Sequence, residues 1–269
     1  MPTSPSIPPA CPPPEPGDEV RSFSRMARTY EQHADVQSWL AAELADALPV
    51  PPPRQVVEVG CGTGLLTGRL VRRWPESDVL ATDPSSGMLA AARDRVAGPR
   101  VRFLQVDADG LDRPADWIVS SAALHWSVDL ARTVEHLWGL VNPGGGLGFG
   151  LMLDGTLGEI HAERARLFPG FEPARRLPSM EQIARLRPPG ARECLEKTLV
   201  RATHHASVRE MWTAIHRSGV TRGPFSPSPP LSPGQVRRLG EALQTRHARD
   251  GMLPVTYRMA CVVWARPAL

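Results

Sequence analysis

Residues 56–64, VVEVGCGTG, set one carboxylate, Glu58, inside an apolar run that breaks into three alternating glycines, Gly60, Gly62 and Gly64. Glycines that follow a buried strand let the backbone approach a ligand closely. Three ligand classes suit such a loop: a dinucleotide, a nucleoside triphosphate, and an adenosyl compound without phosphate. A dinucleotide fingerprint reads GxGxxG, whereas this loop reads GxGxG, and no Gly-Lys-Ser/Thr follows to make a P-loop. Asp83 ends the run VLATD, 19 residues beyond Gly64, where a carboxylate accepts hydrogen bonds from both ribose hydroxyls. Asp83 alone fits a dinucleotide equally well. The discriminating residue is Asp107 in VRFLQVDADG, expected at the carboxyl end of a third strand and within reach of an adenine amino group. Glu58, Gly60, Gly62, Asp83 and Asp107, spread over three strand ends, describe an adenosyl site that requires no phosphate-neutralising residue.

The elements that position these residues alternate. Strand-like QVVEVG precedes helical LLTGRLVRRW, DVLATD precedes SGMLAAARDRV, VRFLQVD precedes a short loop, WIVSS precedes a helix through LARTVEHLWGL, and GGLGFGLML closes the series. Short strands with helices between them predict a doubly wound parallel sheet, because parallel neighbours need crossover connections. A helix near 155–168, a proline-broken stretch to about 190, a strand in CLEKTLVRATHH, helices in VREMWTAIHRSG and PGQVRRLGEALQTRH, and a last strand VTYRMACVVWAR follow. Eight of the first 16 residues are proline, so residues 1–21 are expected to be a disordered or polyproline tail, inert or recognised by a proline-binding partner. Residues 22–269 then form one domain. Its parts are a cap helix over 22–48 with apolar residues at helical spacing, a ligand-binding core over 54–153, a substrate-side cover over about 155–192, and C-terminal strands and helices over 193–266.

Composition narrows the function. A 269-residue chain with 42% hydrophobic and 22% charged residues is an ordinary globular protein, and no stretch reaches the roughly 20 apolar residues that cross a bilayer. The proline-rich start lacks the basic and apolar regions of a signal peptide, so a cytoplasmic location is expected. Cys11, Cys61, Cys194 and Cys261 lack the close spacing of zinc ligands, which predicts free thiols and no metal. The formal charge is +3, and of the 31 basic residues only Lys197 is a lysine. That balance, without a binding motif, argues against nucleic acid as a partner.

The ordered set EVGCGTG, ATDPSSGML, VDADG and VNPGG resembles the motifs of class I S-adenosylmethionine-dependent methyltransferases. The resemblance implies an α/β, Rossmann-like fold: a seven-stranded, mostly parallel sheet with helices on both faces and an antiparallel last strand. It implies that Gly60, Cys61, Gly62 and Gly64 lie under the methionyl part and ribose of S-adenosylmethionine, with Glu58 organising the methionyl end. It carries the ribose to Asp83 with Pro84, the adenine to Asp107 with Ala108, a packing role on adenine to Met88, and a cofactor contact to Ser121. Met88 serves equally well as a core methionine.

The flanks resemble one branch, the malonyl-acyl-carrier-protein O-methyltransferases of biotin synthesis. Phe23, Arg25, Tyr30 and Gln37 in SFSRMARTYEQHADVQ match its N-terminal pattern, and SSAALHWSVDL, DGTLGEIH and LPVTYRMACVVWAR match later segments, so the resemblance runs from about residue 22 to 266. It implies methyl transfer to the free carboxylate of a malonyl group on acyl carrier protein. Ser121 replaces an asparagine and His125 a glutamine of the family's usual pattern, and a short loop between Asp107 and Asp116 also resembles trans-aconitate methyltransferases. A carboxylate is ionised at neutral pH and needs alignment rather than a base, so Tyr30 and His125 are expected to position it. His33, Trp126, and Arg217 or Arg222 are candidates to bind the acceptor, each with a packing or solvated alternative. The arginines from Arg164 to Arg201 either dock the acidic carrier protein or are solvated. A small-acid or secondary-metabolite methyltransferase and a non-enzymatic adenosyl-binding scaffold remain open.

Overall fold

A computed structural model of the chain describes residues 34–170, 172–173, 176–217, 227–228 and 231–268. The expected proline tail and the start of the cap helix, with Phe23, Arg25, Tyr30 and His33, lie outside the described residues, as does Arg222. Where one cap helix over 22–48 is expected, the described residues hold α1, Asp35–Ala47, which begins after the N-cap residue Ala34 and so does not run unbroken from residue 22. The core alternates as its apolar spacing predicts: β1 Gln55–Val59, α2 Thr67–Arg73, β2 Asp78–Thr82, α3 Ser86–Arg95, β3 Val101–Leu104, β4 Ala115–Ser121, α4 Leu130–Gly139 and β5 Val141–Met152. Beyond it come α5 Gly158–Leu167, a two-residue β6 Glu172–Pro173, α6 Met180–Ala184, β7 Arg192–His205, α7 Val208–Arg217, a two-residue β8 Pro227–Ser228, α8 Pro233–His247 and β9 Leu253–Ala265.

Seven strands form one sheet in the order β3-β2-β1-β4-β5-β9-β7. The first five are parallel, with Glu58 of β1 level with Ala81 on one side and Val119 on the other. β9 runs antiparallel between β5 and β7, from Met152↔Met259 to Gly146↔Ala265 and from His205↔Leu253 to Arg192↔Ala265. This is the seven-stranded, mostly parallel α/β sheet expected from the motifs. The chain order reverses between β1 and β4, and open α/β sheets bind ligands at such a switch point, outside the carboxyl ends of the strands.

Strand alternation sends side chains to two cores. Tyr257, Met259, Cys261 and Val263 of β9 face one with α1 and α2, while Ala260, Val262 and Trp264 face the other with α4. On β5, Leu147, Phe149 and Leu151 fill the α4 side, and the glycines between them open a groove for α1. A Cβ on Gly148 would lie 2.8 Å from Leu48 Cδ2, and one on Gly150 would lie 2.8 Å from Leu40 Cδ1. GGLGFG is therefore a strand whose missing side chains seat a helix. Leu40, Leu44 and Leu48 are fully buried there, each contributing about 1.5–3 kcal/mol by leaving water.

Two local expectations change. The third strand ends at Leu104 rather than at Asp107; β3 is the outer strand of the sheet, and its ladder closes where the Asp83 N–H donates to the Leu104 carbonyl. The proline-broken stretch holds α6, started by a capping box in which Ser179 and Gln182 satisfy each other's backbone N–H groups.

Candidate functional site

The carboxyl ends of β1, β2 and β4 and the loop after β3 surround a cavity of about 360 Å3. Its floor is the glycine loop, tied to β2 where the Cys61 N–H donates to the Thr82 carbonyl at 2.8 Å. Gly60, Gly62 and Gly64 all have positive φ, at +69°, +55° and +83°, a region that L side chains adopt only with strain. At Gly60 space also forbids a side chain, since a Cβ would sit 2.3 Å from that of Ala123. Nothing lies within 4 Å of a Cβ placed on Gly62, so the bare backbone there fronts the cavity. Gly64 does not line the cavity; a Cβ there would press on Ala92 and Val96. Its task is to let the loop pack on α3.

Asp83 is nearly buried at 8% exposure. Its Oδ2 accepts the Gly62 N–H at 2.9 Å and its Oδ1 accepts the Ser85 N–H at 2.8 Å, leaving each oxygen a further lone pair. Ser85 in turn caps α3 by accepting the Met88 N–H, which sets Met88 and Pro84 in the wall. Burial raises the Asp83 pKa, the two N–H bonds oppose it, and the carboxyl settles at about 6.

Glu58, 1% exposed, lies deeper. Burial pushes its pKa up, the 2.6 Å hydrogen bond donated by the Thr67 hydroxyl pulls it down, and the Asp83 charge adds to the rise, leaving it at about 8. Two close carboxyls in a dry recess disfavour each other's ionised forms and attract a cation. Burial, with the Glu58 and Asp83 charges, likewise pushes the Cys61 thiol up, so Cys61 is an inert wall residue rather than a nucleophile.

Asp107 and Ala108 line the opposite rim; the Asp107 carboxylate accepts the Gly110 N–H at 2.8 Å and is exposed. Ser121 ends β4 at the cavity, and the chain then turns through Ala122, a non-glycine residue at φ +56°. That turn leads into a 3-10 segment, Leu124–Trp126. It sends Leu124 and Trp126 into the cavity wall but turns His125 to a second cavity of about 240 Å3, which Arg176, Pro178 and Gln182 also line. Ser127 and Val128 belong to both cavities, and Val128 is 93% exposed on the ridge between them.

Most of the residues expected from the motifs therefore meet in one place: Glu58, Gly60, Cys61, Gly62, Asp83, Pro84, Met88, Asp107, Ala108, Ser121 and Trp126. His125 lies next door because successive residues of a 3-10 turn point about 120° apart. Arg217 is exposed at the end of α7 and lines neither cavity. Gln37, buried on α1, reaches the main cavity. Thr63, Leu65, Ala122 and Ala123 also line it and were missed, since small and apolar wall residues carry no signal of their own in a sequence; Asp109, inside VDADG, lines it as well and accepts from the Thr133 hydroxyl. Several described arginines of the arginine-rich segment are already engaged. Arg166 pairs with Glu163, Arg185 with Glu181, and Arg187 with Glu193, while Arg164 is buried.

The cavity fits a cationic adenosyl ligand: a carboxylate for the ribose, carboxyls for positive charge, and backbone where a phosphate site would carry basic side chains. Residues 56–145 match the family described as a methyltransferase domain. A malonyl-acyl-carrier-protein O-methyltransferase of Priestia megaterium is 28% identical over 88% of this chain and 93% of its own. Another of that name, from Magnetococcus marinus, is 31% identical over 89% of this chain and 88% of its own. The chain belongs to the malonyl-acyl-carrier-protein O-methyltransferase family. Within this family of methyltransferases the match covers the flanks as well as the glycine loop. A trans-aconitate 2-methyltransferase of Deinococcus radiodurans is 41% identical, over 43% of this chain and 45% of its own. Among solved structures, a methyltransferase of Bacillus halodurans superposes with a TM-score of 0.62 at 13% identity, covering 85% of this chain and 99% of that one, which supports the fold. Among the described residues no helix is long and apolar enough to cross a membrane, and no cluster of His, Cys, Asp and Glu could hold a metal.

Proposed function

We propose that the protein transfers the methyl group of S-adenosylmethionine to the free carboxylate of a malonyl thioester on acyl carrier protein, giving the methyl ester and S-adenosylhomocysteine. The observation that carries this reading is similarity to enzymes of that name over nearly nine-tenths of the chain, joined to a cavity whose polar groups suit an adenosyl cation. S-adenosylmethionine, when bound, supplies a sulfonium methyl already activated toward nucleophiles.

In this reading Asp83 holds the ribose hydroxyls, and Pro84, Met88, Asp107 and Ala108 hold the adenine. Glu58, the backbone around Gly62 and Ser121 hold the donor's cationic methionyl end, and Gln37 and Trp126 border the space left for the acceptor. The acceptor carboxylate is ionised at neutral pH and needs no base. Orientation alone reaches effective molarities of about 10⁵–10⁸ M, so these residues act by aligning the oxygen with the methyl and by excluding water. Ser127 and Val128, shared by the two cavities, suit the path by which a tethered acyl group enters. His125, in the second cavity, is proposed to position that group rather than to touch the methyl.

The trans-aconitate relative supports a second reading, a small-acid methyltransferase, over less than half of this chain. Labelled donor with malonyl-carrier protein, malonyl-coenzyme A and trans-aconitate separates the two. The first reading predicts the highest kcat/KM on malonyl-carrier protein; a higher value on trans-aconitate overturns it.

A further inference from the structure

Away from both cavities, one buried carboxylate gathers two guanidinium groups and an imidazole. Glu163 of α5 is 4% exposed; its Oε2 accepts from Arg166 Nε at 2.8 Å, and its Oε1 accepts from Arg246 Nε at 2.7 Å and from His247 Nε2 at 3.1 Å. Just past the end of α5, the Arg238 guanidinium lies 5.8 Å from the centre of the Phe168 ring. These two contacts show that α5 and α8 pack antiparallel with Arg238, Arg166 and Arg246 along their seam. Arg238 and Arg246 are eight residues apart on α8, or about 12 Å at 1.5 Å per residue.

The other carboxylates of these helices do not neutralise the seam. Glu159 of α5 faces β9, accepting from the Thr256 backbone N–H and hydroxyl, and Glu241 of α8 pairs with Arg237. Among the described residues, two guanidinium groups and an imidazole therefore share the Glu163 carboxylate, and the Arg238 guanidinium beside them rests on the Phe168 ring. Arg166, Arg238 and Arg246 remain exposed, so each planar fork retains donors directed at solvent. Glu163 fixes two of them in place, which lowers the ordering cost of engaging an external carboxylate. α5 also leaves the sheet just after β5, at the carboxyl edge that carries the main cavity.

We propose that the α5–α8 seam is the docking stripe for an acidic helix, which on the functional reading above, on which this inference rests, belongs to the acyl carrier protein. Carboxylates seven or eight residues apart on one helix face lie about 11–12 Å apart along its axis, matching the rise between Arg238 and Arg246 on α8. A contact made by exposed charges governs encounter and weakens with salt.

The test is charge reversal at Arg238, outside the Glu163 cluster, alone and combined with Arg246→Gln. Calorimetry measures affinity for holo-carrier protein, and steady-state assays measure KM for malonyl-carrier protein and for malonyl-coenzyme A. Arg238→Glu is expected to weaken carrier-protein binding and raise its KM about five- to tenfold, with kcat and the malonyl-coenzyme A KM unchanged within twofold. Unchanged carrier affinity in both variants overturns the stripe, as does an equal rise in KM for both acceptors. Because affinity is read without turnover, a parent protein that binds carrier protein through Arg238 yet methylates nothing refutes the reaction and leaves the stripe standing.

Discussion

Asp83→Asn removes one charge from the cavity and changes little else in size. The wild-type carboxylate accepts the Gly62 and Ser85 N–H groups at 2.9 and 2.8 Å, and on our reading accepts the ribose hydroxyls with its remaining lone pairs. Asparagine keeps one acceptor oxygen and turns an NH2 toward a backbone N–H or a hydroxyl that had been donating to it. Losing a charge-assisted hydrogen bond costs about 1.5–3 kcal/mol, and a loss of about 3 kcal/mol corresponds to roughly 150-fold in affinity. Titration calorimetry should therefore show S-adenosylmethionine binding about 100-fold more weakly, and S-adenosylhomocysteine weakened equally because the ribose is common to both. Melting curves of the ligand-free variant serve as the control for folding. A folded variant whose donor affinity stays within threefold of wild type refutes the assignment of Asp83 to the ribose.

Three further outcomes follow. Glu58 has its folded pKa raised from the usual 4.5 to about 8, so the native state holds a proton that the unfolded chain gives up. Its contribution is fully present below pH 4.5 and is lost as pH rises to about 8; the ligand-free melting temperature should fall across that window, and Glu58→Gln should flatten the fall. A cationic donor favours the ionised carboxyls, so its affinity should rise from pH 6 to 8 and its binding should release protons, detectable as a calorimetric heat that varies with buffer. At Glu163 burial acts to raise the pKa, but hydrogen bonds from Arg166, His247 and Arg246 outweigh it and bring it to about 2. That stability is present above pH 4.5 and lost toward pH 2, so Glu163→Gln should lower the melting temperature at neutral pH and much less near pH 2. Gly60→Ala meets Ala123 and a left-handed backbone that costs about 1–2 kcal/mol, and should cost far more stability than Gly62→Ala, which meets strain alone; equal melting temperatures for the two variants contradict the loop geometry.

Much of this was legible in the sequence because the relevant signals are local. Short apolar runs between helical segments located six strands closely, and PGQVRRLGEALQTRH is the helix Pro233–His247 residue for residue. The glycine triplet and Asp83 follow from backbone demands that only certain residues meet, and their spacing carries into space because each terminates a strand of one sheet. What the sequence hid depends on neighbours far along the chain. The end of β3 at Leu104 is set by a sheet edge, and the facing of His125 by a short 3-10 turn that no periodicity announces. Gly64 reads like its partners but serves α3, a contact made by Ala92 and Val96 nearly 30 residues on. The Glu163 cluster joins residues 83 and 84 positions apart, so the segment read as an arginine patch gained its organisation from α8.

The most direct test of the functional claim is mass spectrometry of malonyl-carrier protein after incubation with the enzyme and donor carrying a deuterated methyl group. The account predicts one labelled methyl per carrier protein, on the malonyl moiety, lost on mild base treatment as a methyl ester is, and absent when the acyl group is acetyl. Label on the carrier polypeptide, or equal labelling of acetyl-carrier protein, would contradict it.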